Sequence, residues 1–277
     1  MTVSKAEPGN YVIDYLTVIA LSMLAYTLAV VLHEHLGHAL ACVSLGGHPA
    51  ELGAYYVDCQ YANMPDLSIR LVALAGPIIS LITGALGLLI LDRIPRGSAH
   101  LRYWAWLFGT ISLMTATGYL LFSGFTGLGD FGTSRDGALY LARPEWLWRL
   151  ASSVIGAAGY ALVIYLSLRK MDKLIGGEGI ARVAHAQKLS LTSYLTGTVM
   201  AVLIGFLNPH GIVIVLVSAA ASTLGGTSGL AWMMQMLNRK KALSEAPLRL
   251  ERSWFWVGLG FLVTILYAII LGPTLRP

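Results

Sequence analysis

A chain of 277 residues with 56% hydrophobic and only 12% charged side chains carries about half the ~25% charge of a soluble domain. That composition excludes an ordinary water-soluble enzyme and points to a bilayer. The net charge of +5 comes without a Lys/Arg tail, a phosphate-cradling glycine loop or a basic-aromatic patch, so no nucleic-acid partner is expected.

Residues 1–10, MTVSKAEPGN, hold one lysine and a Pro-Gly break and lack the cleavage pattern of a signal peptide. They read as a cytoplasmic N-terminal tail before a retained membrane helix. Seven runs approach or exceed the ~18 apolar residues of a spanning helix: 12–45, 69–91, 103–124, 147–168, 190–207, 211–236 and 253–272. RIPRG follows the second run, NPHG separates the fifth and sixth, and NRKKALSEAPLRLER separates the sixth and seventh. The expected fold is an all-α integral membrane protein of about seven transmembrane helices, without a separate soluble domain. Small residues mark close helix contacts at Ser152 with Gly156 and at Gly225 with Gly229. Trp104, Trp106, Trp146, Trp148, Trp254 and Trp256, near run ends, read as interfacial belts.

Orientation follows from Lys and Arg. Fourteen of the nineteen fall on the side of the N-terminus, which the positive-inside bias places in the cytoplasm. His33, His35, His38, His48 and His210 then gather toward the outer face, where the loop carrying Asp130 also lies.

The most informative stretch is VLHEHLGHALAC, residues 31–42. Three histidines and a glutamate occupy six positions of an apolar run, where a charged residue costs roughly 2.5–3.5 kcal/mol. Such groups mark a cavity and a function. On a regular helix Glu34 shares a face with His38, four residues on, and His35 with His38, three residues on. His33 and His38, five apart, point about 140° from each other at ~100° per residue. They meet only if a π-bulge or unwound turn intervenes, with Gly37 as the weak point. Imidazole and carboxylate suit Zn²⁺, and a catalytic zinc takes three protein ligands with one open position. The metal candidates are His33, His35, His38 and, from the glycine-rich FSGFTGLGDFG, Asp130. His210 in NPHG and Cys42, one turn after His38, are candidate supporting groups behind the ligands. For His210 the rival reading is a plain turn. For Cys42 it is packing or a disulfide to Cys59 in an oxidising compartment.

HEHLGHALACVSLGG, LVALAGPIISLITGAL and LLFSGFTGLGD, in that order, resemble the site-2 protease family of intramembrane zinc metalloproteases. They are similar to its zinc helix, to its next helix with an Ala-Gly-Pro start, and to the segment supplying its third ligand. The strand-forming GGHPAELGAYYVDCQY lies where the family has short β-structure after the first helix. The resemblance covers residues about 20 to 135 and divides the chain into the tail 1–10, a metal-binding membrane core 11–135, and additional helices of the same membrane domain, 136–277. It implies a zinc-dependent hydrolase that cleaves peptide bonds of membrane protein or peptide substrates, with Glu34 as general base and substrate adding to a strand edge around 54–61.

The motif departs from His-Glu-x-x-His. Aligning Gly37-His38 with the family's Gly-His puts Glu34 at the first ligand position. Aligning His33-Glu34 instead leaves one inserted residue and requires a bulge. The Asn-Pro motif expected before Asp130 is replaced by Ser123-Gly124. The alternative function is therefore a non-catalytic scaffold or accessory subunit bound to partner membrane subunits. A di-iron desaturase is disfavoured, because seven histidines with no His-His pair are too few. The expected location is the cytoplasmic membrane of a bacterium or archaeon, with the metal site toward the outer face.

Overall fold

The computed structural model describes residues 11–210, 212, 215–238 and 246–277. The tail 1–10, and with it Lys5, and the basic residues Arg239, Lys240 and Lys241 that entered the orientation argument lie outside the described residues. Among the described residues six helices are long and apolar enough to cross a membrane: Tyr15–Ser44, Asp66–Arg93, Ala99–Thr126, Glu145–Ile175, Gly179–Gly205 and Trp254–Leu271. This is consistent with a membrane protein.

The chain enters through β1 (Val12–Ile13), paired in parallel with β4 (Arg249–Leu250). Helix α1 (Tyr15–Val31) starts at Asp14, whose carboxylate accepts from the Thr17 backbone N–H at 2.9 Å and satisfies one otherwise orphaned donor. The same carboxylate pairs with Arg252 at 2.7 Å, tying the first helix to the start of the last. Beyond α1 the helix continues as a π segment, Leu32–Ala39, and a short α2, Leu40–Ser44. An antiparallel hairpin follows, β2 (His48–Leu52) with β3 (Val57–Gln60), its register shifting between Pro49 and Glu51.

Helix α3 (Asp66–Ile90) starts after Pro65, with Asp66 in the first turn, where a negative charge suits the helix dipole. It carries Pro77 internally. Helix α4 (Ala99–Thr126) is the centre of the bundle, with Tyr103, Trp106, Ile111 and Met114 at 0–1% exposure. It meets α3 through glycines: a Cβ on Gly87 would lie 2.9 Å from Gly109 Cα, the close approach small residues allow in membrane helices. Helices α5 (Glu145–Ile175), α6 (Gly179–Gly205) and α7 (Trp254–Leu271) complete the long elements.

Three expectations need correction. The run 211–236 is not a regular helix. Its described part holds a π segment, Val215–Gly225, and 3₁₀ turns Ser228–Ala231 and Met233–Met236. It still joins opposite ends of the bundle. Asn208 and His210 bond Thr274 and Glu51 at one end, and Asn238 accepts from Arg182 at the other. Polar side chains on neighbouring helices hold its loose backbone, among them Ser190 to the Leu230 carbonyl and Tyr160 to the Gly229 N–H, which is how non-helical backbone survives at membrane depth. Trp106 is not interfacial: it is fully buried and donates to the Ser167 carbonyl at 3.0 Å. Gly156 does pack closely, its added Cβ lying 2.5 Å from Leu121 N, and so does Gly229, whose Cβ would lie 2.7 Å from Met114 Cε; a Cβ on Gly225 would meet no described atom within 4 Å.

Candidate metal centre

The π segment decides the geometry of the polar cluster. A π turn closes i→i+5 bonds, so residues five apart stack instead of diverging. His33 Nε2 and His38 Nε2 lie 3.2 Å apart. Asp130 reaches the same point from the loop after α4, with Oδ2 3.1 Å from His33 Nε2 and Oδ1 3.5 Å from His38 Nε2. Among the described residues these three are the group whose ligand atoms converge.

Each side chain is held in place. Gly127 (φ +75°) caps α4 and Gly129 (φ +79°) turns the chain just before Asp130; only glycine takes such angles without strain. The Asp130 carbonyl accepts from Ala138 N–H, and the Ala138 carbonyl accepts from Arg70 Nε at 2.8 Å, fastening the loop to α3. Arg149 of α5 donates to the Gly124 and Phe125 carbonyls. His38 Nδ1 donates to the Val72 carbonyl at 2.8 Å, and His33 Nδ1 meets Ser80 Oγ at 2.9 Å. Since a carbonyl only accepts, neutral His38 presents a lone pair at Nε2. The π segment lies against the backbone of α3: a Cβ on Gly37 would sit 2.6 Å from Gly76 Cα. A Cβ on Gly76 would collide with His38 Nε2 and come within 2.8 Å of His33 Nε2. Tyr119 of α4 stacks on His33, centroids 5.3 Å apart at 14°.

This set fits a metal ion. Ligand atoms around zinc, bonded at ~2.0–2.1 Å in a tetrahedron, sit roughly 3.3 Å apart, and the three separations here are 3.2, 3.1 and 3.5 Å. Asp130 Oδ2 is buried and makes no directed hydrogen bond, although His33 is beside it. Burial alone would raise the Asp130 carboxyl; His38 and His33 outweigh that and hold it well below the usual carboxylate range.

Glu34 is 6% exposed. It lines two cavities: a small one shared with His33, Tyr26, Thr115 and Ser222, and a cavity of ≈ 330 Å³ shared with His38, Asp130, Tyr55, Tyr61 and Tyr119. The hairpin forms part of the wall of the larger one. His35 is not part of the converging set, because the π turn carries it off the shared face, and its Nε2 is buried without a hydrogen-bond partner. Cys42 does not support the ligands as a free thiol: it is bonded to Cys59. His210 does not touch the cluster either; its Nε2 bonds Glu51 at 2.7 Å. Gly76, Ser80, Tyr119 and the Val72 carbonyl belong to the site, and the sequence reading gave none of them a role there. Gly76 and Ser80, four apart on α3, were the detectable signal: two small residues on one face of an apolar helix.

No protein-family model matches the chain, and neither a curated protein nor a solved structure matches it.

Proposed function

We propose that the protein is a membrane-embedded zinc-dependent hydrolase that cleaves peptide bonds, as its resemblance to site-2 proteases implies. The observation that carries this reading is the convergence of His33, His38 and Asp130 beside the buried carboxyl of Glu34. Two nitrogens and one oxygen leave a fourth position open, the pattern of catalytic rather than structural zinc. Zinc held there supplies Lewis acidity toward water and toward a substrate carbonyl. Glu34 accepts the proton of the attacking water and returns it to the leaving amine. The Val72 carbonyl and Ser80 keep both imidazoles aimed at one point. The hairpin admits an extended substrate: among the described residues β3 pairs only with β2, which leaves its second edge for main-chain hydrogen bonds.

The site faces the outer side of a cytoplasmic membrane. The Lys/Arg bias supports that orientation, and so does the Cys42–Cys59 disulfide at the same end as the cluster, because disulfides persist in oxidising compartments.

Elemental mass spectrometry of the detergent-purified chain tests the reading. About one zinc per chain is expected in wild type and in Glu34→Gln, with loss in His38→Ala and Asp130→Ala. Glu34→Gln should abolish cleavage of a membrane peptide while keeping its metal. Loss of metal in Glu34→Gln would make Glu34 a ligand, and a metal-free wild type would favour the scaffold reading.

A further inference from the structure

At the end of the bundle away from the metal cluster lies a groove that the hydrolytic reading does not use. Helix α5 presents Tyr165, Leu168, Arg169, Asp172 and Lys173 toward it, the i, i+3, i+4, i+7, i+8 spacing of a single helical face. Met236, Leu237 and Asn238, at the end of the irregular segment, form the opposite wall, and the space between is ≈ 590 Å³. Its floor is apolar, made by Leu168, Leu237, the exposed Met236 and the ring of Tyr165.

The rim is cationic, and the nearby acids are already engaged. Asp172 pairs with Arg182, a fully buried arginine, at 2.5 Å. Asp92 pairs with Lys170 at 2.6 Å, and Lys173 acts on Asp92 only at longer range. Arg169 lies over the Tyr165 ring, 4.9 Å from its centroid. Among the described residues neither Arg169 nor Lys173 has an ion-pair partner within 4 Å. Among the described residues two cations without an ion-pair partner within 4 Å thus stand over an apolar floor, on a helix long and apolar enough to cross a membrane.

We infer that this groove binds one anionic phospholipid. Its phosphate sits between Arg169 and Lys173, and an acyl chain runs along Leu168, Met236 and Leu237. Guanidinium groups match phosphate oxygens in two-point geometry, and basic pockets between membrane helices hold anionic headgroups. An interfacial lysine or arginine elsewhere on the surface attracts any negative lipid. The concave apolar floor is what makes this position selective for a whole lipid over a headgroup.

The test is native mass spectrometry of the full chain released from phosphatidylcholine nanodiscs doped with phosphatidylglycerol. Wild type should retain one phosphatidylglycerol. Arg169→Gln and Lys173→Gln should each weaken retention about fivefold, from ~1 kcal/mol per cation near an anionic surface, and the pair about 30-fold. Arg93→Gln with Arg96→Gln removes the same charge at the same end, outside the groove, and should leave retention unchanged. Either single variant carries the test if the double variant does not fold. Equal retention of phosphatidylcholine, an equal loss in the Arg93/Arg96 control, or displacement by millimolar inorganic phosphate would overturn the inference.

Discussion

At the scale of single residues, the geometry of the cluster depends on groups outside the three converging side chains. Ser80 is 2% exposed and meets His33 Nδ1 at 2.9 Å, which leaves Nε2 to face His38 and Asp130. Groups in that position fix the tautomer and ring orientation of a metal-binding histidine, and their loss typically costs 10–100-fold in metal affinity. Ser80→Ala should therefore weaken zinc binding by about that factor in a chelator competition titration, and Ser80→Thr should recover most of it. An unchanged affinity would mean that packing alone orients His33. Gly76 acts through volume, since any Cβ there enters the space of both Nε2 atoms. The sequence showed the cluster because ionisable side chains in an apolar run are costly and conspicuous. Ser80 and Gly76 left only a faint signal, because two small residues on one face of an apolar helix look like ordinary packing.

At the scale of elements, the π segment converts a misaligned motif into a converging one. The letters His33-Glu34-His35-Leu36-Gly37-His38 contain one residue more than His-Glu-x-x-His, and the π turn absorbs the surplus. Deleting Leu36 should return the segment to an α-helix with the two outer histidines four apart on one face. The deletion variant is expected to keep about one zinc per chain and the Cys42–Cys59 pairing, because the surplus residue and the bulge leave together and the residues after it keep their facing. Loss of zinc on deletion would show that the π geometry itself is needed for the site. The hairpin is a second element held from outside. Leu52 and Leu275 exchange backbone bonds of 2.8 and 2.9 Å, and Tyr267 donates to the Ala54 carbonyl. Glu51 collects Tyr56, His210 and Arg276, which hold its carboxyl down to about 2 from the usual 4.5. A depressed carboxylate pKa contributes stability above its unfolded value, and that contribution is lost as pH falls toward the folded one. Hydrogen exchange over 48–60 should accelerate as pH drops below about 4.5, beyond the intrinsic pH dependence. Glu51→Gln should raise exchange at pH 7 and abolish the acid response.

At the scale of the whole molecule, the two ends of the bundle differ in kind. One end gathers the metal cluster, the hairpin, the disulfide and the C-terminal residues. The other gathers β1 with β4, the buried Arg182 and the basic groove. The proposed orientation, with the basic end in the cytoplasm, predicts that a reporter active only outside works when fused after Pro277 and fails when inserted after Gly177. The reverse result would move the metal site to the cytoplasmic face and leave the disulfide without an oxidising environment.

The sequence by itself determined most of the membrane-length apolar helices and the stretch where ionisable side chains gather, because bilayer insertion is read from composition and run length and charge within a run stands out. It also named Asp130, through the glycines that precede it. Only the tertiary structure decided between His33 and His35 as neighbours of His38, because a π turn and an α-helix share the same letters and differ in which face each residue takes. Tertiary structure likewise turned the sixth apolar run into irregular backbone, since its polar groups find partners on neighbouring helices that no local pattern reveals. It took Trp106 from the interface into the core for a related reason: its acceptor, the Ser167 carbonyl, lies 61 positions along the chain.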